Sequence, residues 1–296
     1  MSAPIHILII SDGKAGHENQ SLGLAEAMAR RVDAEIHLVR VDAKKNIWGR
    51  ISEALEFSRE FPKPSYVISA GSSTHIVLWW LARKFDARSI VLMKPFWPIA
   101  LFDWCVAPEH DFQSTPDLEN LIISKGALNR VIPAKGDRWE KIFLIGGPSK
   151  IHGFDENRLI EQICEVARDG TWQVADSRRT PSDFLKRLEN QILNLTIFPH
   201  QETKPGWLAG KLSTASEVWV TEDSVSMVYE ALTGGAKVGV LDMPRLKPEA
   251  RVIRGLEKLK KEGYLIGGAG NKMEALAEAD RCAGLILGLV FFVLSS

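Results

Sequence analysis

The chain has 296 residues, 45% of them hydrophobic and 25% charged, which is enough for one large domain or two of ordinary size. Its 37 basic and 37 acidic residues balance, so we expect no nucleic-acid partner. The three cysteines, Cys105, Cys164 and Cys282, lack CxxC spacing, which predicts neither a disulfide framework nor a zinc site. A cytoplasmic location is expected, because no disulfides are indicated and the first apolar run is shorter than the core of a signal peptide.

Short runs rich in isoleucine and valine, such as "IHILII" at residues 5–10, alternate with longer helical patterns along both halves of the chain. Such near-continuous apolar strands are typical of parallel sheets that are covered on both faces. The predicted fold class is therefore α/β, with two Rossmann-like parallel-sheet domains that face a cleft. The non-periodic stretch at residues 129–139 places an N-terminal domain at 1–135 and a C-terminal domain at 136–278.

The remaining segment, residues 279–296, is predicted to be an apolar C-terminal tail. Residues 282–294 ("CAGLILGLVFFVL") are apolar throughout, yet they fall short of the ~20 residues that a membrane-spanning helix needs. We interpret the tail as a buried or partly disordered terminal segment. A contact with a membrane surface and an altered chain end are the alternatives.

The stretch "SDGKAGHENQS" at residues 11–21 lies between the first predicted strand and the first predicted helix. Its glycines permit close backbone approach, its lysine adds positive charge, and the N–H groups at the start of the helix favour an anion. The residues expected to hold that anion are Gly13, Lys14, Gly16 and Asn19. His17 stands at the mouth of the helix as a candidate for chemistry, although a tight turn in which His17 and Asn19 only cap the helix is the alternative.

A second corner, "LIGGPSK", follows the predicted strand at residues 141–145. The paired glycines Gly146 and Gly147 let the backbone reach a phosphate, and Ser149 could donate a hydrogen bond to an oxygen. Gly-Gly-Pro is also a common turn, so a purely structural interpretation stays open.

A third corner follows the predicted strand at residues 217–221. Asp223 and Ser224 are candidates to cap the next helix, whose first N–H groups, around Ser224 to Ser226, would suit a pyrophosphate. Glu230 lies about two turns further along and could grip a ribose diol with two charge-assisted hydrogen bonds. The alternative makes Glu230 a solvated helix residue.

The run "EALTGGAK" from Glu230 onward resembles the nucleotide-sugar motif in the C-terminal domain of GT-B glycosyltransferases. "GKAGH" is similar to the first glycine-rich loop of the lipid-linked GlcNAc-transferase of peptidoglycan synthesis, and "GGPS" stands in the place of its second loop. Lys237 departs from this pattern, because those transferases usually have proline there.

A resemblance over nearly the whole chain is to the mitochondrial-fission family named for the plant elongated-mitochondria protein, most of whose members are bacterial. It is carried, up to about residue 280, by blocks that include "ISAGSSTH", "FDWCVAPEHD", "KGALNRV", "LIGGPSK", "DSRRTP", "FPHQETKPGWLA" and "VTEDSVSMVYEAL". Ala15, the segment "KPFWPIALFD" and the tail after Arg281 depart from the family pattern.

These resemblances imply a metal-independent GT-B glycosyltransferase that uses a nucleotide-sugar donor, an unidentified acceptor and no cofactor. The N-terminal domain is then the acceptor side and the C-terminal domain the nucleotide-sugar side. One alternative is a non-catalytic adaptor, since the plant member is thought to recruit a dynamin-related protein to mitochondria. Another is a nucleotide-sugar epimerase or binding module. The expected place is the cytoplasm, with the inner face of the membrane as an alternative.

For a transferase, the first candidate base is His17, and the second is the "PEHD" corner with His110 and Asp111. The charge of the leaving group would fall on the N–H groups around Ser224 to Ser226 and on Ser149. No Asp-x-Asp pair is evident, so no metal ligands are predicted.

The sequence also contains weaker candidates for site residues. The arginines of "DSRRTP" could bind a phosphate or be a solvated pair at a helix start. His200 is a candidate for a base pocket, and His6 and His37 lie within strand patterns typical of structural histidines.

Overall fold

The computed structural model describes residues 3–133, 135–192, 194–204, 206–268 and 275–288. The chain divides into two compact units. The first takes the described residues up to Arg130 together with those from Ala277 onward, and the second is Val131–Leu276.

In the described part of the first unit, six parallel strands pair in the order β2-β1-β3-β4-β5-β6. They are β1 (Ile5–Ser11), β2 (Ala34–Arg40), β3 (Tyr66–Ala70), β4 (Arg88–Leu92), β5 (Trp104–Pro108) and β6 (Leu121–Ser124). The helices of this unit are α1 (Ala15–Ala29), α2 (Ile47–Ser58), α3 (His75–Phe85) and α9 (Glu278–Ile286).

Strand β1 shows why the sequence forms a covered parallel sheet. Ile7 and Ile9 pack into one apolar core, whereas Leu8 and Ile10 pack into another. Successive side chains of a strand point to opposite faces, so a continuous apolar run requires helices on both faces. The predicted α/β class with two Rossmann-like parallel sheets is confirmed.

Among the described residues of the second unit, five parallel strands pair in the order β11-β10-β7-β8-β9. They are β7 (Glu140–Leu144), β8 (Trp172–Ala175), β9 (Leu195–Phe198), β10 (Ala215–Thr221) and β11 (Lys237–Leu241). The helices are α4 (Glu156–Val166), α5 (Phe184–Glu189), α6 (Trp207–Thr214), α7 (Val225–Gly234) and α8 (Arg251–Lys261).

The structure describes residues 279–288 of the predicted tail at 279–296. Its described part belongs to helix α9, whose residues Cys282, Ala283 and Ile286 are buried in the core of the first unit. Asp280 also forms ion pairs with Arg30 and Arg31 beyond the end of α1, at 3.1 and 3.2 Å. The chain therefore returns to the first unit after Leu276, and it first passes from one unit to the other after Arg130. Residues 289–296 lie outside the described part of the chain.

No helix in the described part of the chain has both the length and the apolar character needed to span a membrane.

Candidate functional site

The strand order places two loops of the first unit side by side. The order reverses between β1 and β3, which are neighbours in the sheet. Open α/β sheets bind ligands at the carboxyl ends of the strands where the order reverses. The predicted corner after β1 therefore meets the turn at residues 71–73, which follows β3.

A buried carboxylate, Asp12, joins these two loops. Its oxygens lie 2.9 Å from Nδ1 of His17, 2.8 Å from Oγ of Ser73 and 3.0 Å from Nζ of Lys14. Burial by itself raises the pKa of Asp12, but the hydrogen bonds from Lys14, Ser73 and His17 outweigh it and lower the pKa to about 2. The ionised carboxylate can only accept, so Nδ1 of His17 donates and Nε2 is left as a proton acceptor.

Gly71 makes room for the His17 ring. Its φ is +90°, and a Cβ at this position would overlap the imidazole. Residues other than glycine rarely adopt this backbone conformation. Both the conformation and the limited space therefore require a glycine here.

A second histidine, His75, lies close to His17 at the start of α3. It is only 2% exposed, and neither of its ring nitrogens has a hydrogen-bond partner among the described residues. Burial, with a smaller contribution from the nearby His17, lowers the pKa of His75 to about 4. His75 is therefore neutral at pH 7 and adds no positive charge beside His17.

The other residues of the first corner differ in what they contact. Lys14 is the N-cap residue of α1 and lies in the ion pair with Asp12. Gly13 has a φ of +76° and donates its N–H to Oγ of Ser11, whereas Gly16 is exposed with open space where a Cβ would stand. Asn19 is half-buried on α1. His17 does not cap the helix, because its ring is turned toward Asp12.

The structure does not bring His110 and Asp111 to His17. Both lie in the short 3₁₀ turn Glu109–Asp111 after β5, at the same carboxyl edge of the sheet. Strands β3 and β4 lie between β1 and β5 in the sheet. At the usual spacing of neighbouring strands, β1 and β5 are therefore about 14 Å apart.

The second unit has an equivalent reversal between β7 and β10. The predicted glycine corner follows β7, and the predicted helix start follows β10. The two corners nominated from the sequence are therefore neighbours at the place where such a sheet binds ligands.

The glycine N–H groups in this corner are already used by the chain. Gly146 donates its N–H to Oγ1 of Thr221 at 2.7 Å, and Gly147 donates to Oδ2 of Asp223 at 3.2 Å. A Cβ at Gly146 would overlap the side chains of Asp223 and Ser224, and one at Gly147 would overlap the backbone of Arg179. The two glycines thus allow neighbouring protein groups to approach closely, and their approach to a phosphate stays a prediction.

Arg179 places a positive charge at the start of α7. Its guanidinium lies 2.6 Å from Oδ2 of Asp223, and it donates to Oγ of Ser224 at 3.4 Å. The Asp223 carboxylate is fully buried, with Oδ1 unpaired among the described residues, whereas the Arg179 side chain is 43% exposed. The sequence indicated Arg179 only as a weaker candidate, through the arginine pair of "DSRRTP" directly after strand β8.

The remaining predicted residues divide between turn and helix. Oγ of Ser149 accepts the N–H groups of Ile151 and His152 and so closes its own turn. Ser224 is the N-cap residue of α7, but its side chain makes no capping hydrogen bond and instead donates to Asp223. Ser226 is exposed, and Glu230 is half-buried on the same helix.

A cavity of about 820 Å³ lies away from these corners, at the amino ends of the strands of the first sheet. The first residues of four strands, Ile5, Tyr66, Arg88 and Trp104, contribute to its lining. None of the site residues predicted from the sequence lines it.

Two α/β units, each with one parallel sheet and polar corners at its strand-order reversal, are typical of the GT-B fold. The family model described as Mitochondrial fission ELM1 matches residues 15–289, and the chain belongs to this family. No curated protein sequence matches the chain.

Three solved structures share the fold at low sequence identity. UDP-GlcNAc 2-epimerase from Neisseria meningitidis bound to UDP-GlcNAc is 13% identical, with 97% of this chain and 99% of that chain covered and a TM-score of 0.58. UDP-GlcNAc 2-epimerase from Methanocaldococcus jannaschii is 11% identical, with 97% and 100% covered and a TM-score of 0.54. The glycotransferase of kitacinnamycin is 13% identical, with 98% and 100% covered and a TM-score of 0.53.

Proposed function

We propose that the chain is a metal-independent glycosyltransferase that takes a sugar from a nucleotide-sugar donor and passes it to an acceptor. The observation that carries this proposal is the pair of Asp12 and His17 at the strand-order reversal of the first unit. An ionised carboxylate behind an imidazole fixes the ring and makes its other nitrogen a general base.

Helix α7 and Arg179 are the proposed binding groups for the donor diphosphate. The positive end of the helix and an exposed guanidinium both favour a diphosphate. A diphosphate would compete with Asp223 for Arg179, whose side chain is 43% exposed. Gly146, Gly147 and Ser149 then shape the wall of the site.

The spacing along α7 also fits a nucleotide. Ser226 and Glu230 are four residues apart, so they share one face of the helix and stand about 6 Å apart along its axis. A diphosphate at the first turn therefore leaves the half-buried carboxylate of Glu230 to hold the ribose hydroxyls.

In the proposed reaction the acceptor oxygen attacks the anomeric carbon, and its proton passes to Nε2 of His17. The bond from that carbon to the diphosphate breaks, and the charge that develops on the diphosphate is stabilised by α7 and Arg179. His110 and Asp111 stay second candidates for the base.

The names of two similar structures suggest which donors to test first. One is bound to UDP-GlcNAc, and another is a co-structure of the Staphylococcus aureus protein MnaA with UDP. We therefore favour a uridine nucleotide sugar as the first donor class in any screen.

The family description names mitochondrial fission, so we keep as a second candidate the non-catalytic adaptor that the sequence resemblance implied, which would recruit a dynamin-related protein. A thermal-shift scan of nucleotides and nucleotide sugars separates the two. A transferase is stabilised by its donor at concentrations above the dissociation constant, and an adaptor is unaffected by all of them. A protein that converts the sugar without any acceptor would instead be an epimerase.

The cytoplasmic location, the membrane-surface alternative and the cleft between the two units stay predictions from the sequence.

A further inference from the structure

A cluster of two histidines and a glutamate lies at the far end of strand β1 from Asp12. In the parallel register of β1 and β2, His6 is paired with Glu35, and His37 follows two residues later on β2. Residues two apart on a strand point to the same face. The three side chains therefore share one face of the sheet, about 20 Å along the strand from Asp12.

The distances between their polar atoms lie within about 0.5 Å of those on one face of a zinc tetrahedron. Nδ1 of His6 lies 3.1 Å from Nε2 of His37 and 3.5 Å from Oε2 of Glu35, and the two atoms of His37 and Glu35 are 4.0 Å apart. Zinc bonds of 2.0–2.2 Å in tetrahedral geometry put neighbouring ligand atoms roughly 3.3–3.6 Å apart. Within the described part of the chain, this is the one group of three or more histidine, cysteine or acidic residues whose ligand atoms converge in this way.

The hydrogen bonds within the cluster compete for one ring nitrogen. Nδ1 of His6 carries at most one proton, so it can donate to His37 or to Glu35, but not fully to both. A divalent cation accepts the lone pairs of all three groups at once and balances the carboxylate charge.

The surroundings suit an ion that enters from solvent. Both histidine side chains are 14% exposed and that of Glu35 is 58% exposed. The His37 ring stacks on Phe61 with ring centroids 4.4 Å apart, which restricts its orientation. The His37 ring is thus held in place, and the cluster is open to solvent on the side of Glu35.

We propose that His6, Glu35 and His37 bind one Zn²⁺ ion, with a water molecule as the fourth ligand. The ion links the edge strand β2 to β1 and stabilises the first unit. It is separate from the proposed sugar transfer, because it lies at the amino end of β1 and the Asp12–His17 pair follows the carboxyl end.

The test is a Zn²⁺ titration of the metal-stripped full chain in competition with a chromophoric chelator. We expect one ion per chain, and His37→Ala should weaken its binding by at least roughly 100-fold, since even outer-sphere changes cost 10- to 100-fold. Glu35→Gln decides the matter if His37→Ala does not fold, because Glu35 is exposed and the change keeps its shape. Glu56→Gln, an exposed glutamate on α2, is the matched control and should bind as the wild type does.

Several results would overturn the proposal. These are the absence of binding by the wild type at one equivalent of Zn²⁺, and undiminished binding by Glu35→Gln or by a folded His37→Ala. Co²⁺ substitution gives an independent readout: a thiolate-to-cobalt absorption band would place the metal on a cysteine and exclude the proposed ligands, whereas ligand-field bands alone would support histidine and carboxylate ligands.

Discussion

The two strand-order reversals use their polar groups in opposite ways. At the first, one buried carboxylate, Asp12, collects hydrogen bonds from His17 and Ser73 and leaves the outer nitrogen of His17 available. At the second, the buried carboxylate of Asp223 accepts the N–H of Gly147 and pairs with Arg179. Under the proposed function, the first arrangement would serve proton transfer, whereas the second would exchange the Asp223 partner of Arg179 for a diphosphate.

The largest expected effect comes from breaking the first arrangement. His17→Ala removes the proposed base and should lower sugar transfer by roughly 10²–10⁴-fold while nucleotide binding stays nearly intact. Asp12→Asn should lower it comparably, because a neutral amide no longer selects the required tautomer of His17. Rates of product formation check this, with the exposed Asp33→Asn as the control. Full turnover by both variants would show that His17 is not the general base.

A pH titration sharpens the contrast between the buried histidines of the two units. The pKa of His75 falls from 6.5 to about 4 through burial, with no neighbouring carboxylate to oppose it. Burial also lowers the pKa of His152, but Glu222 and Asp223 act against that change. The unfolded chain therefore binds a proton between pH 6.5 and 4 that folded His75 does not, so stability decreases as the pH falls through this range.

The expected loss from His75 is roughly 3 kcal/mol across that range. His75→Phe should remove this part of the pH dependence, because phenylalanine fills a similar volume beside Phe96 and Phe102 and does not titrate. Urea unfolding at a series of pH values measures the free energy of unfolding for both proteins. Equal pH slopes would show that His75 is not the group responsible.

A smaller effect is expected when the space around His17 is filled. Gly71→Ala puts a Cβ into the imidazole and strains a backbone with φ +90°, which should cost about 1–3 kcal/mol of stability and reduce transfer by displacing the ring. Gly255→Ala is the control, because it lies inside α8 with open space at the Cβ position. It should raise stability by roughly 0.5–1 kcal/mol. A Gly71→Ala protein as stable and active as the wild type would contradict the close packing of His17.

The sheets and their corners could be predicted because their signals are local. A run such as residues 7–10 must be buried on both faces, and the polar residues that follow it must lie at the carboxyl edge. The order of the strands within each sheet could not be predicted from the sequence. Ser73 reaches Asp12 across 61 residues of chain only because β1 and β3 are neighbours. The sequence indicated His17 as the first candidate base and His110 as the second, but it could not show that β3 and β4 lie between the strands that they follow.

Because the sequence does not give strand order, it also could not show the contacts of Arg179 or of the end of the chain. Arg179 follows β8 and Asp223 follows β10, and both lie beside β7 only in the folded sheet. The apolar residues of helix α9 pack into the same core as those of α1, about 250 residues earlier in the chain, and the sequence alone did not identify that partner. Contacts between distant segments do not appear in local periodicity.

The most direct test of the account is calorimetric titration of the wild type with UDP and other nucleoside diphosphates, repeated for Glu230→Gln, Glu230→Ala and the exposed control Glu161→Ala. We expect the wild type and Glu161→Ala to bind one of these nucleotides equally. Glu230→Ala should lose roughly 10- to 150-fold in affinity, about 1.5–3 kcal/mol, and Glu230→Gln should lose less because its amide keeps one acceptor. No binding by the wild type at millimolar nucleotide, or undiminished binding by Glu230→Ala, would contradict the proposed nucleotide site on α7.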